Sequence, residues 1–318
     1  MKDKFHDKTD SILDKLVERL SEIYSKAGKD VEKKLLEYLK QFSEEDKQKR
    51  KELDNGTLTA DQYAEWRKKK MLRKSHWRKL KDLIAKEYSN INQTALAYIN
   101  ELLPKVYEIN YNGEAAEINS QVNGIVGNAF ELVDANTVRH LATSDETLLP
   151  YKDLDGSKDV RWNTQKVNSA VLQGILQGES IPDIAKRLQS VTAMNRDSAI
   201  RNARTSITSA ECKGRQDMYE RAEAGGIHLQ REWIASIDTH TRHSHRLLDG
   251  QLVDVDKPFR SELGNIMYPG DPSAHPANVY NCRCTVASRV ISVNGVQINE
   301  AKRKADRFTA KDFFKRIK

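Results

Sequence analysis

The chain has 318 residues, 31% of them charged and 38% hydrophobic, with a formal net charge of +7. It is long enough for about two domains, and its surplus of charge over apolar residues argues for long, solvated helices and against a compact α/β enzyme. Residues 1–6 hold no apolar run of the kind a secretory signal needs, no stretch is long enough to span a membrane, and three cysteines make no disulfide framework, so a reducing compartment during synthesis is expected.

Positive charge is concentrated in two stretches. Residues 60–89 and residues 301–318 each carry a net of +6, which leaves the remainder mildly acidic. Arg67, Lys68, Lys69, Lys70, Arg73, Lys74 and Arg78 in the first stretch, with Lys302, Arg303, Lys304, Lys315 and Arg316 in the second, are the candidates for contact with a polyanion, nucleic acid above all. The plainer alternative is a pair of solvated helix faces.

In chain order, Ile12, Leu13, Leu16, Val17, Leu20, Ile23 and Tyr24 recur at helical spacing, and Val31, Leu35, Leu39 and Phe42 continue the pattern past Gly28, so residues 9–42 read as helix. Asn55-Gly56 marks a turn. Thr59 followed by Gln62 has the spacing of a capping box and opens a helix expected to run to Ser89, with Trp66, Trp77, Leu80 and Ile84 on a face for helix packing. Residues 91–103 form a further apolar helix that Pro104 should end. The signal is weak from 110 to 157, where only Ile118, Val122 and Ile125 suggest a helix near 114–126. Residues 160–177 read as helix, and Ser180-Ile-Pro-Asp183 is a helix start with proline in the first turn. A long helix from about Asn195 to Ala224 closes at Gly225-Gly226. It carries Arg201, Arg204 and Arg215 with Thr205, Thr208 and Ser209, a set that can hold phosphate or can simply bond back to the helix and pair with Glu211 and Asp217.

After Gly226 the period changes. Ile227, Leu229, Arg231 and Trp233 alternate as in a strand, Asp249-Gly250 suggests a hairpin turn, and residues 284–293 read as a strand joined through Asn294-Gly295 to 296–298. The tail from Ala301 sets Phe308, Phe313, Phe314 and Ile317 among lysines and arginines. The expected fold is mainly α, with an elongated helical N-terminal region and a small C-terminal α+β module. The expected segments are a charged helical region (1–110), a helical connector (111–194), the α+β module (195–298) and a basic tail (299–318).

The module concentrates the chain's chemistry. Four of the eight histidines and two of the three cysteines lie between Asp238 and Cys284. Cys282 and Cys284, at i and i+2, put both sulfurs on one side of an extended segment. With His245 and His275 they make a candidate ligand set for a structural zinc, and His240 and His243 are alternates. Asp238, His240, His243 and His245, joined by Asp271, are also the residue types of a metal-dependent nuclease or hydrolase, with Arg242 and Arg283 to hold phosphate. However, no helical His-Glu-x-x-His pattern accompanies them, and Asp238 with Thr241 and Arg242 equally makes a self-bonded turn.

Arg201-Asn-Ala-Arg-Thr205, Gly226-Ile, Trp233-Ile-Ala, Asp238-x-x-Thr-Arg-x-x-His245, Leu248-Asp-Gly-Gln251, Asp256 with Phe259, Tyr268-Pro-Gly-Asp-Pro272 and Asn281-Cys-Arg-Cys284 follow one another in one order. This series resembles the head morphogenesis, or minor head, proteins of tailed bacteriophages, the family with the phage Mu protein F-like domain, over residues 180–290. His240 stands where the family pattern usually has arginine. The resemblance makes Asp238, Thr241, Arg242, Asn281 and Arg283 a fold signature. It implies a non-enzymatic minor capsid protein inside the virion head, made in the host cytoplasm and associated with the portal protein, with scaffolding or major capsid protein as further partners. Such a protein would assist head assembly, packaging or genome delivery and would touch DNA without reading sequence.

Overall fold

The computed structural model describes residues 3–72, 75–122, 135–145 and 147–298. The architecture is mainly α, with a small C-terminal module built on an antiparallel sheet. The helices are α1 (Lys4–Lys40), α2 (Ser43–Asp54), α3 (Ala60–Arg67), α4 (Ser75–Val122), α5 (Ala135–Ser144), α6 (Gly156–Leu176), α7 (Ile181–Lys186) and α8 (Leu188–Ala224). The module adds β1 (Ile227–Ile234), α9 (His243–Leu248), β2 (Leu252–Asp254), β3 (Phe259–Ser261), β4 (Gly264–Ile266), α10 (Pro276–Val279), β5 (Thr285–Val293) and β6 (Val296–Gln297). No described helix is long and apolar enough to cross a membrane.

The chain divides into two compact units, neither of which is a single stretch. One comprises 17–97 and 153–200 and is helical throughout. Its core joins Val31, Leu35, Leu39 and Phe42 to Trp77, Ile84, Tyr88, Val167, Val171, Ile175, Ile184 and Leu188, all buried. Trp77 therefore packs between helices, as its spacing suggests. The capping box at Thr59 is formed in both directions, and Ser180 caps α7 with Pro182 in its first turn. Gly28 lets α1 approach α8 closely, since a Cβ there would sit 2.9 Å from the Thr192 methyl.

Two helix expectations in the N-terminal half need correction. The helix opened by Thr59 does not run evenly to Ser89; after α3, residues Lys68–Leu72 form a π-helical turn and α4 begins at Ser75. Pro104 does not end a helix but lies inside α4. Its missing N–H and ring clash cost about 3 kcal/mol locally, but Leu103, Val106, Tyr107 and Ile118 are all buried on the continuing helix, and burial of each large side chain returns roughly 1.5–3 kcal/mol.

The other unit comprises 1–16, 98–152 and 201–318. Its four-stranded sheet has the order β2-β1-β5-β6, all neighbours antiparallel, and β3 and β4 form a separate two-stranded pair. Trp233 opposes Val286 in the β1–β5 register. The sheet buries Ile227, Leu229, Trp233, Val286, Val290 and Val293 against Ile118 and Val122 of α4 and Met218, Tyr219 and Ala222 of α8. Beneath that core lies a charged node. Arg215, fully buried, meets Glu114 at 2.8 Å and Asp3 at 2.6 Å, and donates to Asn110 and to the Val286 carbonyl.

The expected hairpin at Asp249-Gly250 is replaced by a different device. Ser244, His245 and Leu248 are buried at helical spacing while Leu247 is exposed, so 243–248 coils as α9 instead of extending. Gly250, at φ +77°, then donates to the Trp233 carbonyl, and Asp249 accepts from the Ala235 amide. The chain is thereby latched onto the end of β1 before β2 pairs with it.

Candidate metal centre

His245, Cys282 and Cys284 form the one potential metal-binding group among the described residues, with their ligand atoms all within 4.8 Å of one another. His245 comes from α9, and the cysteines from the loop entering β5. All three are buried. Both sulfurs lie 3.5 Å from the same atom, His245 Nδ1. The Trp233 and His245 rings meet edge to face, 5.3 Å between centroids. His245 Nε2 is buried without a hydrogen-bond partner. The cysteine loop lines a shallow pocket with Ser236, His240, Thr241, Arg242, Asn281 and Arg283.

The two thiols differ. Hydrogen bonding from Cys282 holds Cys284 well below the usual thiol range, assisted by His245. The same bond, together with burial, pushes Cys282 well up. Cys284 is thus the sulfur that yields its proton first. Cys212, on α8, is buried and pushed well up by that burial, and it stands outside the group.

The other residues expected here are arranged as braces. Asp238 takes a two-pronged pair from Arg283, with one contact at 2.6 Å, and also accepts from the His240 amide and the Thr241 hydroxyl. The Arg283 bonds hold its carboxyl well below the usual carboxylate range. Asp238 therefore pairs with Arg283 and not with Arg242, whose guanidinium instead donates to the Tyr280 carbonyl. The Thr241 hydroxyl also lies against the Ser236 carbonyl. Asn281 adopts φ +59° and is held by Arg204 through its side chain and by Thr205 through its amide. Thr208 donates to the Cys282 carbonyl and Ser236 to the Arg283 carbonyl. The hydroxyls of α8 therefore fasten the cysteine loop. The sequence shows those hydroxyls but not their partner, more than seventy positions away.

His275 does not join the sulfurs. It is exposed, and its Nδ1 accepts from the Ala277 amide, capping α10. His243 is exposed near Glu262, and His240 is exposed at the pocket rim. Asp271 is buried and spends its oxygens on the Met267 and Ser273 amides. The carboxylates read as possible acid or base groups are thus committed to the loop.

Among the basic candidates, Arg67 is corrected: it is fully buried, its Nε 2.9 Å from Asp46, with its guanidinium over the Tyr63 ring. A charge so enclosed is not available to a polyanion. Lys69 and Arg78 are exposed, while Lys68 and Lys70 are half-exposed beside Glu65 and Glu45. Arg73, Lys74, Lys302, Arg303, Lys304, Lys315 and Arg316 lie outside the described residues.

Residues 165–287 match the family model described as Phage Mu protein F like protein. Over 277 residues, 87% of this chain and 83% of the relative, the sequence is 26% identical to minor head protein GP7 of Bacillus phage SPP1. A stretch of 130 residues is 33% identical to the NAD(+)–arginine ADP-ribosyltransferase EFV of Enterococcus faecalis; it covers 41% of this chain but 26% of that protein. Another of 138 residues is 27% identical to the uncharacterized protein YqbB of Bacillus subtilis, covering 42% of this chain and 44% of that one. No solved structure matches significantly. Residues 165–287 are thus similar to the Phage Mu protein F like family, and most of the chain is similar to a phage minor head protein.

Proposed function

We propose that this chain is a minor capsid protein of a tailed bacteriophage, carried inside the head at the portal, where it assists head assembly, DNA packaging or genome delivery. The observation that carries the reading is the similarity to the SPP1 minor head protein, which spans 87% of this chain and 83% of that one. A shared domain alone would not extend so far. The transferase relative is matched over only about a quarter of its length, so its named activity stays with that protein. The chemistry of the module supports a structural role: Asp238 and Asp271 are tied to the loop, and the histidines outside the sulfur group are dispersed. The exposed Lys69 and Arg78, with the half-exposed Lys68 and Lys70, suit sequence-independent contact with packaged DNA.

The decisive experiment is mass spectrometry of purified heads together with affinity capture on portal protein. The chain is expected in both, and its consistent absence from heads would refute the assignment. For the DNA part, neutralising Lys68, Lys69 and Lys70 together with the basic tail should weaken binding equally across sequences. Each phosphate contact removed should flatten the slope of log affinity against log salt by about 0.9. Unchanged affinity and slope would remove DNA contact from the proposal while leaving the head assignment standing.

A further inference from the structure

We propose that His245 Nδ1, Cys282 Sγ and Cys284 Sγ are the protein ligands of one zinc ion, which clasps the cysteine loop to α9 and leaves its fourth position to solvent. The inference goes beyond the head-protein reading and stands without it. Its basis is the shape of the group. Zinc bonds to sulfur at about 2.3 Å and to imidazole nitrogen at about 2.0–2.1 Å, and a tetrahedral angle between them sets nitrogen and sulfur ~3.5–3.6 Å apart. Both sulfurs stand 3.5 Å from Nδ1, the length of that tetrahedral edge.

Hydrogen bonding alone gives a poorer account. A neutral imidazole nitrogen has one lone pair and accepts from one thiol, and a protonated one has a single hydrogen to direct. Two sulfurs converging symmetrically on one nitrogen fit a cation at the centre better than either arrangement. The charges also close: two thiolates and a neutral imidazole around a divalent ion make a neutral unit, suited to a site where all three residues are buried. Binding exchanges the thiol protons for the metal, and the protons leave to solvent. One imidazole and two sulfurs form a soft donor set that favours zinc over magnesium, calcium or manganese.

The surrounding structure holds the ligands in advance. Thr205 fixes the Asn281 amide, Thr208 the Cys282 carbonyl and Ser236 the Arg283 carbonyl, so the loop backbone is pinned at successive residues. Trp233 sets the plane of the His245 ring. The pocket these ligands share with His240 and Thr241 is the open side from which a water supplies the fourth ligand. No carboxylate is among the described residues that line that pocket, so the centre lacks the usual partner of a zinc-bound water. His275 lies outside the group whose ligand atoms fall within 4.8 Å of one another and is not a ligand.

The test uses the full chain, purified under reducing conditions without chelator. Elemental analysis should find about one zinc per chain. His275→Ala should keep it, and Cys282→Ser and Cys284→Ser should each lose it. A cysteine variant that fails to fold would lose metal trivially, so the deciding measurement is on the unaltered chain. After zinc is stripped, added Co2+ should give a thiolate-to-metal charge-transfer band with the strong visible absorption of four-coordinate cobalt, and zinc should abolish both. Absence of zinc together with absence of those cobalt bands would overturn the proposal. So would zinc that survives in Cys282→Ser but disappears in His275→Ala.

Discussion

The buried Arg215 offers the sharpest test of what holds the C-terminal unit together. Its guanidinium is enclosed by Glu114, Asp3 and Glu211, and it donates to Asn110 and the Val286 carbonyl. Arg215→Met keeps much of the side-chain volume but leaves Glu114 buried and facing no cation. Breaking a buried pair from one side costs about 3–5 kcal/mol, which for a unit of this size lowers Tm on the order of 10 °C. The loss should depend on pH. Burial already pushes Glu114 up from 4.5 to about 7, against the pull of Arg215. Because the folded carboxyl holds its proton more tightly than the unfolded one, its contribution is most favourable below 4.5 and is lost as pH rises through about 7. Without Arg215 the carboxyl rises further, so the defect should be greatest near pH 8 and shrink by about 1–2 kcal/mol near pH 6, where Glu114 is neutral. Thermal unfolding followed by circular dichroism at the two pH values measures this. The double variant Arg215→Met/Glu114→Gln should regain at least half of the loss. A defect below ~1 kcal/mol, or one independent of pH, would show that Arg215 does not neutralise the node and that the reasoning is wrong.

Two further outcomes follow from neighbouring geometry. His6 lies 2.8 Å from Glu211, and although burial pulls its pKa down, the Glu211 charge and hydrogen bond raise it from 6.5 to about 9. Its contribution is therefore complete below pH 6.5 and lost as pH rises through 9, and His6→Gln should remove on the order of 2 kcal/mol of pH-dependent stability between those values; superimposable pH–stability curves would refute this. Gly214→Ala would place a Cβ 2.5 Å from the Tyr107 carbonyl, whereas Gly156→Ala, at the start of α6, meets nothing within 4 Å. The first should destabilise by about 2–3 kcal/mol despite alanine's better helix propensity, and the second should be neutral or slightly stabilising in urea titrations. Equal effects would show that α4 and α8 do not touch there.

What the sequence made legible were features whose cause is local. The Thr59–Gln62 box, the Ser180-Ile-Pro-Asp183 start, the alternation of β1 and the Asn294-Gly295 turn each complete their hydrogen bonds or period within a few residues. What failed had distant causes. Pro104 reads as a terminator until the burial of Leu103, Val106 and Tyr107 is known. Arg67 reads as part of a basic stripe until Asp46 is found beside it, brought there by the turn at Asn55-Gly56. The candidate centre is legible in part: the i, i+2 cysteines and His245 converge as their types suggest, but His275, close to them along the chain, lies outside the group in space. The hydroxyls of α8 could not be assigned at all, because a threonine bonded to its own helix and one bonded to a loop look the same in sequence.

The braces also explain why a block so rich in reactive residue types need not be an active site. Asp238 binds Arg283, Arg246 reaches the Asp238 carbonyl, Arg242 reaches the Tyr280 carbonyl, and Arg204 reaches Asn281. Each of these charged side chains is thus committed to a partner in or beside the loop, and among the described residues only His245, Cys282 and Cys284 converge as a group that could hold a metal ion. A catalytic constellation requires acid, base or nucleophile groups whose protons are free to move to a substrate. Here the carboxylate is locked by a guanidinium, and the open side carries His240, Thr241 and Arg242 without a carboxylate. The residue types of the block are accounted for by the need to fold one loop against α8 and α9.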